Sequence, residues 1–174
     1  MPQQLISATR NSWRKQTLPL PEERAKLKFD RLFYLAEYQK ITHGLIPAGM
    51  DDKWFIFLEN DTLFFYRSWT GFCIYQLHFI TQNNNYYVDE VWVNRNSEQY
   101  KEIDDHYDIQ LLNFLIDNLL LGQNTPFPVS STVPENLPKG LFQHSVAGTG
   151  YPEVKHKSKE TWVEKIKRML GTRN

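Results

Sequence analysis

Three turn signals spaced through one aromatic-rich run commit much of this chain to antiparallel sheet. Residues 53–59 and 63–69 are dense in Phe, Ile, Leu, Trp and Tyr, with Asn60-Asp61 between them, a dipeptide suited to the positive φ of a two-residue hairpin turn. Thr70-Gly71 then separates 63–69 from 72–80 and predicts a second two-residue turn. An Asn-rich break at 82–85 precedes a fourth run, 86–93. The expected core is a four-stranded antiparallel meander.

Turn length sets register, and register decides which side chains share a face. Two-residue turns pair Leu58 with Leu63, Ile56 with Phe65 and Trp54 with Arg67, and then place Phe65 opposite Gln76 and Leu63 opposite His78. A turn of three Asn residues puts His78 opposite Glu90 and Gln76 opposite Trp92. One face then carries Trp54, Ile56, Phe65, Arg67, Ile74, Gln76, His78, Glu90 and Trp92. The other carries Phe55, Phe57, Phe64, Tyr66, Tyr75, Leu77 and Phe79 with Ser68 and Cys73, and is the face expected to be covered by helices. The first face mixes a cation, a carboxylate, an imidazole, an amide and two indoles. That set suits a ligand-binding surface, and equally an ordinary solvent side on which Trp shields Arg.

Elsewhere the pattern turns helical. Pro19 and Pro21, with Glu22 and Glu23 after them, mark a helix start. Ala25, Phe29, Leu32, Phe33 and Ala36 follow at helical spacing until Gly44 and Pro47. Asp104-Asp105 offers an N-cap to a second helix, 105–121, apolar around most of its circumference and stopped by Gly122. Residues 123–153 carry Pro126, Pro128, Pro134 and Pro138 and read as a long irregular segment. Within it, Gly148 and Gly150 beside Ser and Thr suggest a weak anion-binding loop. Residues 158–170 place Trp162, Val163, Ile166, Met169 and Leu170 on one stripe of a basic amphipathic helix. The reading is a single α+β domain over 1–174, two helices on one face of the meander and a basic helix at the end, with 1–18 a mobile arm or one docked by Trp13.

Composition excludes several classes. The 174 residues carry 20 basic and 20 acidic side chains, so no general nucleic-acid coat is expected. The charge is unevenly spread: residues 89–117 hold eight acids against Arg95 and Lys101, and the tail from Lys155 holds seven cations against Glu160 and Glu164. One cysteine, Cys73, precludes an internal disulfide and an all-Cys zinc site. Five scattered histidines signal no metal, and no cofactor is expected. No run is long and apolar enough for a bilayer, and a soluble cytoplasmic protein is expected.

Two runs stand out, Asp52-Lys53-Trp54-Phe55-Ile56 and Tyr66-Arg67-Ser68-Trp69-Thr70-Gly71-Phe72-Cys73-Ile74-Tyr75. They resemble a signature of small uncharacterised bacterial proteins, some of which occur beside or fused to ADP-ribose-related modules; His144 to Glu153 is a second matching block. The resemblance carries no catalytic residue. From the residues themselves, Arg beside Trp at a strand end suits a phosphate joined to a flat ring. The expected function is therefore a binding or regulatory module for a nucleotide or ADP-ribose-like ligand, held by Arg67, Trp69, Thr70, Lys53, Trp54, Gln76 and Trp92. An enzyme on such a substrate would use Glu90, His78 and His144 as acid–base groups. A third expectation is a protein-interaction module, immunity or antitoxin-like, with a partner or a second copy bound through the C-terminal helix.

Overall fold

The computed structural model describes residues 6–49, 51–129 and 139–148. The expected basic helix at 158–170 and residues 149–153 of the second signature block lie outside them. The elements are β1 (Arg24–Lys26), β2 (Leu32–Phe33), α1 (Leu35–Ile41), β3 (Trp54–Glu59), β4 (Thr62–Arg67), β5 (Cys73–Gln82), β6 (Asn85–Asn94), α2 (Asp105–Leu115), a π-helical turn Ile116–Leu120 and α3 (Lys139–Ala147). The fold is α+β, with a six-stranded antiparallel sheet in which β1 and β2 both pair with β6, followed by β5, β4 and β3. No helix among the described residues is long and apolar enough to cross a membrane.

The meander is present, and its first hairpin has the expected register. Asn60 and Asp61 both hold positive φ, and Trp54 pairs with Arg67, Ile56 with Phe65 and Leu58 with Leu63. The second turn differs. Arg67 N donates to Phe72 O and Gly71 N to Arg67 O, so the loop is Ser68-Trp69-Thr70-Gly71, not Thr70-Gly71. With a bulge between Phe65 and Tyr66, Phe65 comes to face Tyr75 and Phe64 faces Gln76. The one-residue slip moves Tyr75 and the β5 side chains after it to the opposite face from the one expected, while Cys73 and Ile74 keep theirs. At the third turn two departures cancel: Asn83-Asn84 form a two-residue turn, and a bulge between His78 and Phe79 restores His78 to Glu90 and Gln76 to Trp92.

The expected mixed face is consequently split. Trp54, Ile56, Phe65, Tyr75, Leu77, Val91 and Val93 pack with Leu111, Leu112, Phe114 and Leu115 of α2 in the main core. Phe55, Phe57, Tyr66 and Cys73 form a second cluster with Ala8 and Leu20, with Trp13 and Ile46 against it. The helices therefore cover the Trp54 side and not the Phe55 side, which the N-terminal segment covers. Burial pushes the Cys73 thiol up to about 12, leaving it a small buried hydrophobe.

The long first helix is replaced by two short strands and a seven-residue helix. Without them, β6 would present an unpaired edge; pairing Arg24, Ala25 and Lys26 with Asn94, Val93 and Trp92, and Leu32 and Phe33 with Tyr87 and Tyr86, satisfies it. Helical spacing of apolar residues is only a weak prior against that demand. The irregular reading of 123–153 is likewise corrected, because α3 occupies 139–147. The second helix follows expectation: Asp104 accepts from His106 N and Tyr107 N at its start, and its last turns widen into a π-helix.

Residues 6–18 run along the sheet. Ala8 N donates to His43 O and Leu18 N to Gly71 O, while Trp13 Nε1 donates to Ser68 O at 2.8 Å. Gly71 holds φ +74°, and a Cβ there would lie 2.0 Å from Gln16 O. Gly71→Ala is expected to cost more than about 1 kcal/mol in urea unfolding, from the positive φ and the clash together. An unchanged midpoint would show that residue 16 can withdraw from the loop.

Candidate functional site

The four-residue loop that displaced the register also builds the site. Ser68 is buried, its Oγ donating to Asp52 O at 2.6 Å and its N donating to Lys53 O at 3.1 Å. With Trp13 on its carbonyl, the loop is tied to both the β3 entry and the N-terminal segment. Trp69 projects from this anchored base and is 52% exposed, with Lys53 Nζ 5.6 Å from its ring centroid. That separation is a cation–π contact.

Arg67, the last residue of β4, stands where two cavities meet. Its guanidinium carbon lies 4.7 Å from the Trp54 ring centroid, and Arg67 Nη1 and Trp54 Nε1 both donate to Val146 O, each at 2.8 Å. The inner cavity, about 370 Å³, is lined by Trp54, Arg67, Gln99, Tyr100, Lys101, Glu102, Tyr107, Leu111, Phe142 and Val146. The outer one, about 510 Å³, is lined by Lys53, Arg67, Trp69, Thr70, Phe72, Glu98, Gln99, His144 and Ser145.

The electrostatics single out Arg67. Burial pulls its guanidinium below the ordinary range, opposed by Tyr100, Tyr75 and Tyr107. No carboxylate among the described residues forms a salt bridge with it. Of its five N–H donors, one is taken by a neutral carbonyl among the described residues. A largely desolvated cation without a paired acid favours an anion beside it.

A second polar group, missed from sequence, lies in the inner wall. Tyr107 is 4% exposed, and its hydroxyl has no hydrogen-bond partner among the described residues. Burial, Glu102 and Asp108 push its pKa up against the pull of Arg67, so it stays a protonated donor at neutral pH. A tyrosine on the apolar helix 105–121 was its sequence signal, because a buried tyrosine hydroxyl ordinarily needs a partner. Behind it, Tyr75 and Tyr100 hydroxyls both donate to Asp108 Oδ1 at 2.6 Å, and Arg95 Nη1 lies 2.7 Å from Asp108 Oδ2.

The expected site residues divide accordingly. Lys53, Arg67, Trp69, Thr70 and His144 line the outer cavity, and Trp54 lines the inner one. Gln76, Trp92, Glu90 and His78 do not join them. His78 Nδ1 is 2.7 Å from Asp89 Oδ1, and Glu90 pairs with Lys26 at 2.9 Å. The hydrogen bond from Lys26 holds Glu90 below the usual carboxylate range. Gln76 Nε2 reaches Cys73 Sγ, and Arg24 covers Trp92 at 5.0 Å. No group of three His, Cys, Asp or Glu side chains among the described residues is arranged to hold a metal ion. Comparison with family models, curated proteins and solved structures gave no match.

Proposed function

We propose that this protein is a binding or regulatory module for a phosphate-bearing, nucleotide or ADP-ribose-like ligand. The observation that carries the reading is Arg67, a cation lining both cavities without a carboxylate paired to it among the described residues. The phosphate sits on the guanidinium, where planar donors match its oxygens, with Lys53 adding charge from the outer side. Trp69 offers the exposed face for a flat ring, and the Tyr107 hydroxyl supplies a donor from the inner side. A binding role is favoured over turnover because Glu90 and His78 lie away from the cleft, which leaves His144 alone of the three acid–base candidates.

The test is calorimetric titration with AMP, ADP and ADP-ribose against the full chain, Arg67→Ala, Arg67→Lys and Tyr107→Phe. Arg67→Ala is expected to abolish binding. Arg67→Lys, which keeps charge but loses the fork, should weaken it about tenfold or more. Tyr107→Phe should weaken binding while leaving the unfolding midpoint unchanged or raised, since it removes a buried hydroxyl without a partner. Equal affinity in wild type and both Arg67 variants would remove the ligand from this cleft.

A further inference from the structure

The outer cavity does not end at Trp69. The same indole lines a third cavity of about 290 Å³, together with Trp13, Arg14, Lys15, Gly49 and Ser68. It shares Trp13, Arg14 and Lys15 with a fourth, about 470 Å³, along the N-terminal segment. Shared walls thus join the cavities into one track from Arg67 past Lys53 and Trp69 to Arg14 and Lys15. No acid among the described residues lines the third or fourth cavity, whereas Glu98 and Glu102 flank the Arg67 end. On a chain with zero formal charge, the cations on this track are a local concentration that the total conceals.

Aromatic rings interrupt the cations. Trp69 lines both the second and the third cavity with half its surface exposed. Trp13 is fixed beside the same loop by its bond to Ser68 O, with Arg14 5.2 Å from its ring centroid. Trp13 packs partly buried against the second core cluster, and Trp69 presents the exposed ring. A basic track with an exposed ring is the arrangement that holds a single-stranded nucleic acid, phosphates on the cations and a base on the ring. A bare polyphosphate would leave the ring unused.

We infer that the ligand is a short single strand of nucleic acid, with one phosphate on Arg67 and the chain leading past Trp69 to Arg14 and Lys15. This rests on the phosphate seat at Arg67 and extends it in one direction. The mononucleotide is then the smallest fragment of the ligand.

The experiment measures affinities of thymidine monophosphate and fluorescein-labelled hexathymidylate by titration and anisotropy, for wild type, Arg67→Ala, Trp69→Ala and the double variant Arg14→Ala with Lys15→Ala. The hexamer is expected to bind about tenfold tighter or more than the monophosphate. The double variant should bring the hexamer close to the monophosphate, leave the monophosphate unchanged and reduce the salt slope of hexamer binding by about one unit. Trp69→Ala should weaken the hexamer, and unlabelled polyphosphate of equal charge should compete poorly. Arg67-dependent monophosphate binding with no gain for the hexamer, or a double variant that binds it as wild type does, overturns the strand and leaves the seat standing. Equally good competition by polyphosphate overturns it as well. Monophosphate and hexamer binding both indifferent to Arg67→Ala overturn the seat and the strand together.

Discussion

Asp108→Ala is expected to lower the unfolding free energy by about 3 kcal/mol or more, the cost of removing one partner from a buried charge pair. Asp108 is 0% exposed. It accepts from two tyrosine hydroxyls whose oxygens are 2.9 Å apart, and it faces Arg95. Alanine leaves the two hydroxyls only each other and part of the guanidinium without a partner, although Arg95 keeps Asp105 and Glu102 O. A loss below about 1 kcal/mol in urea unfolding would mean that water enters and replaces the carboxylate. The pH dependence has a definite sign. Burial raises the Asp108 pKa, opposed by Tyr100, Tyr75 and Arg95, so the folded protein holds this proton to higher pH than the unfolded chain. The proton-linked part of its contribution is fully present below the unfolded value of about 3.9 and is lost as pH rises through the folded value. Asp108→Asn should remove that slope and keep an acceptor for the hydroxyls.

The second large effect is at Trp54. Trp54→Ala is expected to destabilise by about 3–5 kcal/mol, the range for emptying a large buried ring site. The ring is 1% exposed, packs edge-on to Phe65 and near-parallel to Tyr75, and supports the Arg67 guanidinium. Trp54→Phe separates packing from tethering. It keeps most of the ring but loses the Nε1–H to Val146 O, a difference of about 1 kcal/mol. If that bond holds α3 against the sheet, hydrogen exchange over Lys139–Ala147 should quicken in Trp54→Phe while the sheet stays protected. Unchanged exchange in α3 would assign the tether to Arg67 alone.

Much of the sheet was legible because its determinants are local. Asn60-Asp61 prescribes a turn within two residues, and the alternation on either side carries that register along both strands. The segment 19–44 was not legible as strand, because nothing within it reports that β6 has an unpaired edge. The candidate site was legible at Arg67, Trp69 and Thr70, which share one loop and its flank, and at Lys53, which the first hairpin brings beside that loop. His144 entered the reading from far along the chain, and α3 brings it to the same cavity. Gln76, Trp92, Glu90 and His78 were grouped with them by a register that lacked the bulge between Phe65 and Tyr66.

By itself the sequence determined that a meander forms, where its hairpins lie, and that Arg and Trp meet at one of its turns. Side-chain alternation and turn chemistry act over a few residues and are readable there. Only the tertiary structure decided which face of the sheet the helices cover. The four-residue loop moves the count by two, which keeps the face, and the bulge between Phe65 and Tyr66 moves it by one; with a period of two that single residue reverses the face. It also decided that Arg67 lies between α2, α3 and the loop, beside the Tyr107 hydroxyl. Those groups are far apart in the chain, and burial and charge depend on what packs around a side chain.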